Sequence, residues 1–126
     1  MIRGFSASYA GHIVDDNLGL SGTPANDRLY SNSKLSQAFE WALDISSHME
    51  TLGYDEFWMA EHHFQPEGYE CIPNLLMLSL YLATQTKTIK FGSGFNITPM
   101  WHPLRLAEDF ATVDILTQGR VIFGVG

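Results

Sequence analysis

Short segments rich in β-branched and aromatic residues begin near residues 55, 89 and 121, and a helix-period stripe precedes each of them. The first stripe runs Leu35, Ala38, Ala42, Ile45, Met49 and Leu52; Asn32 or Ser33 can cap its start, and Gly53 suits the left-handed position that ends it. Pro73 opens a second helix that runs to about Gln85, since a first helical turn tolerates proline. Pro103 opens a third, which keeps Leu106, Phe110, Val113 and Leu116 in phase and stops at Gly119. Strand, helical crossover and strand make a βαβ unit, whose strands run parallel and whose hand is right-handed in nearly all cases. With a further strand at 2–8, the pattern predicts four parallel strands, at 2–8, 55–61, 89–96 and 121–125.

Such a run belongs either to an open doubly wound sheet, with the first strand inside the sheet, or to a (β/α)8 barrel, with the strands in chain order. The chain ends at Val125-Gly126, in or just after an apolar strand with no helix to cover it, and a barrel takes about 250 residues against the 126 present. The expectation is therefore the N-terminal half of a (β/α)8 TIM-type barrel, about four βα units, with residues 1–126 forming one domain. Residues 11–32, rich in Gly, Ser, Asn, Asp and Pro, read as a long loop leaving the first strand, and loops of that length are functional or mobile. Such a half would present an unpaired edge at Val121 to Val125 and an inner face bearing Phe57, Met59, Phe91 and Phe123, so a homo-oligomer or an aggregate is expected.

Charge and cysteine content narrow the function. With 14 Asp+Glu against 7 Lys+Arg the net charge is -7, which opposes phosphate backbones and anionic lipid, so no nucleic-acid or membrane partner is expected. Cys71 is the sole cysteine, which excludes an internal disulfide and a cysteine-based zinc cluster. The most apolar stretch, Leu75 to Ala83, falls far short of the roughly 20 residues of a membrane span, and the N-terminus has no secretory apolar core. A cytoplasmic protein is expected.

Two motifs fall where α/β proteins place their chemistry, at the carboxyl ends of strands. Glu61-His62-His63-Phe64 follows the second strand. Adjacent histidines on an extended chain point to opposite faces, which argues against a shared metal ion; a packed core role and a role as acid or base both stay open. Phe91-Gly92-Ser93-Gly94-Phe95-Asn96-Ile97-Thr98-Pro99 closes the third strand, and its glycines suit a bulge, a ligand approaching bare backbone, or packing. It lacks the endings of a phosphate loop or a dinucleotide fingerprint. Trp101-His102-Pro103 and Gln118-Gly119-Arg120 read as structural, His102 orienting the helix start and Arg120 bonding the helix's last carbonyls. Cys71, beside a proline, reads as a packed thiol.

Taken in order, Glu61-His62-His63-Phe64, Ile72-Pro73-Asn74-Leu75-Leu76, Thr86 to Gly94, Pro99 to Asp109 and Gln118 to Gly126 resemble the bacterial luciferase-like flavin-dependent oxidoreductases. The resemblance runs from about Leu35 to the end, whereas Gly4 to Tyr9 is not the usual opening of that family. It implies a barrel of well over twice this length that holds reduced FMN, or in some members F420, at its carboxyl-end mouth. It also implies a flavin reductase as donor of reduced flavin, O2 as co-substrate and a small organic molecule as substrate. His62 would lie by the flavin as the catalytic residue, with Glu61 and His63 in support. Gly94, Phe95 and Asn96 would pack against the flavin, with a non-prolyl cis peptide at Gly94-Phe95. The expected function is that of a flavin-dependent monooxygenase, truncated in this chain. The rival readings are a non-catalytic half-barrel or supporting subunit, and an independent open α/β binding domain.

Overall fold

The computed structural model describes residues 4–11, 13, 30–63 and 70–126. Its elements are β1 (Ser6–Tyr9), α1 (Asn32–Thr51), β2 (Glu56–Met59), α2 (Leu75–Gln85), β3 (Lys90–Ser93), α3 (Pro103–Thr117) and β4 (Val121–Ile122). The four strands form one parallel sheet in the order β1-β2-β3-β4. Because β1 sits at an edge rather than inside, the doubly wound alternative fails, and the winding is that of the N-terminal half of a (β/α)8 barrel. The strands are shorter than the sequence suggested, but single ladder bonds continue beyond them, Ala60 N–H to Tyr9 O at 3.0 Å and Gly94 N–H to Met59 O at 2.7 Å. Most of the expected loop at 11–32 lies outside the described residues, as does Phe64.

The helix ends depart from the sequence reading for local reasons. Ser31, not Asn32 or Ser33, caps α1, its Oγ accepting from Lys34 N–H at 3.3 Å. Asn74 caps α2 by accepting from Met77 N–H at 2.9 Å, which leaves Pro73 one residue before the cap instead of in the first turn. His102 holds the capping position of α3 but makes no side-chain cap bond. Gln118, at φ 59°, and Gly119, at φ 78°, turn the chain out of α3 together.

Register decides which side chains meet the helices. Ala7, Phe57 and Phe91 stand at one level, and Tyr9, Met59 and Ser93 at another. Phe57, Met59 and Phe91 are buried with Ala42, Met49, Ile72, Leu75, Leu78 and Leu82, which places them under the helices and not on the inner face as expected from the sequence. Phe123 also leaves the inner face, for its ring lies 4.5 Å from that of Phe110 on α3. The opposite row carries Ser6, Ser8, Glu56, Trp58, Lys90, Gly92 and Ile122, a more polar face than a strand-by-strand reading implies. Small residues bring α1 close to the sheet: Ala38, Ala42, Ser46 and Met49 are its buried positions, while Ile45 and Leu52 drift to the edge of the stripe as the 3.6-residue period advances. Leu116 is likewise exposed, and Thr117 takes the buried place at the end of α3.

Two polar clamps hold the end of the sheet away from the carboxyl ends. Arg120 donates to Thr117 O, to Thr86 Oγ1 and to Ala83 O, so a single guanidinium gathers the last turns of α2 and α3 just before β4. Glu50, in the last turn of α1, accepts the backbone N–H groups of Lys87, Thr88 and Ile89 and the Thr88 hydroxyl. Burial works to raise the Glu50 pKa, but these four donors outweigh it and bring it from 4.5 down to about 2.

A depressed carboxylate pKa contributes stability that is complete above the unfolded value and fades as pH falls through the folded one. Solvent screens this surface carboxylate, so Glu50→Gln should lower stability by only about 1 kcal/mol near neutrality, with the gap to wild type closing between pH 4.5 and 2 in urea denaturation series. A second test concerns Gly124, where an added Cβ would stand 1.7 Å from the Ser93 carbonyl oxygen. Main chain cannot rotate away as a side chain can, so Gly124→Ala should cost about 3 kcal/mol in the same assay.

Candidate functional site

At the carboxyl ends of β1, β2 and β3, the residues Ser8, Tyr9, Ala10, Trp58, Met59, Ala60 and Gly94 enclose a cavity of about 220 Å³. Barrel enzymes keep their chemistry at this end of the sheet. Trp58 forms a wall because of Gly92: the two residues are register partners, and a Cβ on Gly92 would lie 2.5 Å from the indole. The strand glycine is thus explained by a neighbouring ring and not by a ligand. Gly94 has ordinary room for a Cβ, 3.7 Å from Met59 O, and its peptide bond to Phe95 is cis. Tyr9 is anchored from behind, its hydroxyl donating to Ala38 O at 2.8 Å. Burial, then the nearby Cys71 thiolate, push its pKa up to about 12, so it stands as a neutral phenol. Cys71 is half-buried with Sγ 3.7 Å from Gly11 O, and burial pushes its thiol up as well, which fits a packed thiol and not a nucleophile.

Beside the cavity, Glu61 is the hub. Its side chain has no exposed surface. Oε1 accepts from Trp101 Nε1–H at 3.0 Å and lies 2.6 Å from His63 Nε2, while Oε2 accepts from Ile97 N–H at 3.3 Å. The contact between the histidine motif and the glycine motif runs through this carboxylate. His62 turns to the segment before α2, with its N–H on Ile72 O at 3.0 Å and Nδ1 3.0 Å from Glu70 Oε2. Both imidazoles therefore pair with carboxylates, His62 with Glu70 and His63 with Glu61.

The three residues after β3 have different environments. Gly94 lines the cavity, Phe95 is exposed, and Asn96 is fully buried. Asn96 bonds Gly124 O twice, through its backbone N–H at 2.9 Å and its Nδ2 at 3.2 Å, yet its Oδ1 has no partner. Among the described residues no group of three or more His, Cys, Asp or Glu side chains could hold a metal ion. Nor is any helix among them long and apolar enough to cross a membrane.

Sequence reasoning left Trp101 as a structural residue and did not single out Trp58 for the site. Trp101 sits between two prolines at the end of a 3-10 turn, Thr98–Met100, and nothing local links it to a carboxylate forty positions earlier. Trp58 could have been found by asking what a glycine at the paired position of the next strand would admit.

The fold is half of a (β/α)8 barrel, and its carboxyl-end mouth joins a glycine-rich strand end to a pair of histidines. The chain belongs to the luciferase-like monooxygenase family, whose model matches residues 18–126. It is 36% identical over 94 residues to a luciferase-like monooxygenase of Escherichia coli strain K12, covering 75% of this chain and 28% of that protein. To limonene 1,2-monooxygenase of Rhodococcus erythropolis it is 34% identical over 96 residues, covering 76% of this chain and 24% of that one. Among solved structures it resembles the oxygenating constituent of 3,6-diketocamphane monooxygenase from the CAM plasmid of Pseudomonas putida, a type II Baeyer-Villiger enzyme in complex with FMN. The TM-score is 0.77 at 25% identity, over 100% of this chain and 30% of that one. The chain thus spans between a quarter and a third of the length of these relatives.

Removing the hub leaves three donors stranded. Glu61→Ala should lower stability by about 3 kcal/mol or more, and Glu61→Gln, which keeps an acceptor oxygen but loses the charge, by about half as much, both measured by chemical denaturation.

Proposed function

We propose that this chain forms one wall of the reduced-flavin site of a flavin-dependent monooxygenase that uses O2 to oxygenate a small organic substrate. The observation that carries the reading is the cavity at the carboxyl ends of β1 to β3, walled by Trp58, open to backbone at Gly94 and followed along β2 by the Glu61 hub. The orphaned Oδ1 of Asn96 fits a site that receives an N–H or O–H donor, since buried acceptors are rarely left unpaired. When bound, reduced flavin supplies the electrons that reduce O2, one oxygen atom entering the substrate and the other leaving as water.

The chain's own residues have narrower tasks. Trp58 keeps water from the face of the sheet, and Gly94 offers bare backbone for a flat approach. Glu61 holds His63. Glu70 on Nδ1 of His62 favours the tautomer that takes or gives a proton at Nε2, the catalytic role assigned to that residue. His63 and Glu61 support it. A flavin reductase supplies the reduced cofactor, in keeping with a neighbour described as an oxygenating constituent. FMN is the cofactor of choice, with F420 as the competing ligand in the test.

The specific alternative is a supporting, non-catalytic role. It is favoured by the lining of the cavity, which among the described residues holds no lysine or arginine to meet a phosphate. Anaerobic titration of reduced FMN and reduced F420 into the purified chain separates these readings. Saturable quenching with reduced FMN, weakened at least tenfold by Gly94→Val, is the expected result; no binding of either cofactor by a folded chain would favour the supporting role. Sedimentation over a concentration series in the same preparation tests the homo-oligomer, which the two open sheet edges favour.

A further inference from the structure

We infer that Trp101 is a positioning residue of this site, which acts through the buried Glu61 carboxylate to fix the proton of His63 on Nε2. The importance of that proton for catalysis rests on the flavin reading; the contact itself does not. An indole N–H can only donate, so Oε1 of Glu61 must accept from Trp101. The backbone N–H of Ile97 makes the same demand on Oε2. With both carboxylate oxygens turned to N–H donors, Glu61 stands as an acceptor, so the proton in the 2.6 Å contact is the imidazole's to donate. His63 is then a donor at Nε2, and its Nδ1 becomes the acceptor side of the ring.

The position of Trp101 comes from elsewhere in the fold. Its backbone N–H closes the turn on Thr98 O at 3.1 Å, and the next residue, His102, begins α3. Its ring packs on the cluster of Leu76, Leu106 and Val113, where α2 meets α3. The docking of two outer helices thereby reaches the histidine end of β2 through one N–H. Among the described residues, the titratable groups near this linkage include His63 on Glu61 itself, the His62–Glu70 pair beside it, His102 next in the chain, and Asp109, which lines the hollow on the α2–α3 side of Trp101.

A purely structural tryptophan would leave the histidine tautomer unchanged when replaced by another ring of similar shape. The test is nitrogen-15 NMR of the imidazoles in the full chain, together with reduced-FMN titration. In the wild type, His63 should show a protonated Nε2 and an unprotonated Nδ1 near neutral pH, and the Trp101 indole N–H should be protected from solvent exchange. In Trp101→Phe the Glu61 carboxylate loses one of the two donors that fix its orientation and can turn off His63, so the His63 signals should move toward a mixture of tautomers, and reduced-FMN affinity should fall about tenfold, as for loss of one hydrogen bond to a charged group. Unchanged His63 signals in a folded Trp101→Phe chain overturn the inference. If that variant does not fold, a wild-type His63 protonated on Nδ1, or a freely exchanging indole N–H, overturns it equally. Should His63 respond as described while the wild type binds no reduced flavin, the flavin reading falls and the assignment of Trp101 stands.

Discussion

The parallel ladder imposes the constraint on which everything else depends. Strands at equal level send alternate residues to opposite faces, so one register choice settles both the core and the site. Phe57, Met59 and Phe91 go outward and anchor the helices, and Trp58 and Gly92 are left as partners on the other face. A slip of one residue would bring Trp58 among the helices and put the core rings on the inner face. The cavity at the mouth exists because that slip is so costly.

Two carboxylates at opposite ends of the sheet show how the same chemistry serves two ends. Glu50 gathers three backbone amides and a hydroxyl where α1 ends and β3 is about to begin, and its depressed pKa makes it a pH-sensitive seam of the scaffold. Glu61 gathers an amide, an indole and an imidazole where β2 ends, and it joins groups placed for chemistry. The division follows the usual polarity of barrels, with stability at the amino ends of the strands and function at the carboxyl ends.

The face turned away from the helices carries Ser6, Ser8, Glu56 and Lys90 alongside Trp58 and Ile122. Trp58 further softens it by donating its indole N–H to Glu56 at 2.9 Å. Such a face pairs with further strands through its edges more than through bulk apolar area, so the β1 and β4 edges, and not exposed aromatic rings, favour the proposed association.

The order of elements was legible in the amino-acid sequence because helix and strand periods are local properties, and so were the parallel pairing, the placement of both motifs at strand ends and the roles of Gly53 and Arg120. Glu61 to His63 and the glycine-bearing segment Phe91 to Pro99 could be singled out by type and position alone, and the narrower choice of Gly94 to Asn96 and the cis bond at Gly94-Phe95 by resemblance. Which ring faces the helices, which residue caps a helix and which carboxylate meets which donor could not be read, because each depends on groups brought together by register and helix docking from far apart in the chain. Ser31 displaced its neighbours as a cap through the geometry of one turn. Trp101 reached Glu61 only because α3 docks on α2 beside the end of β2, a distance in space that no local pattern encodes.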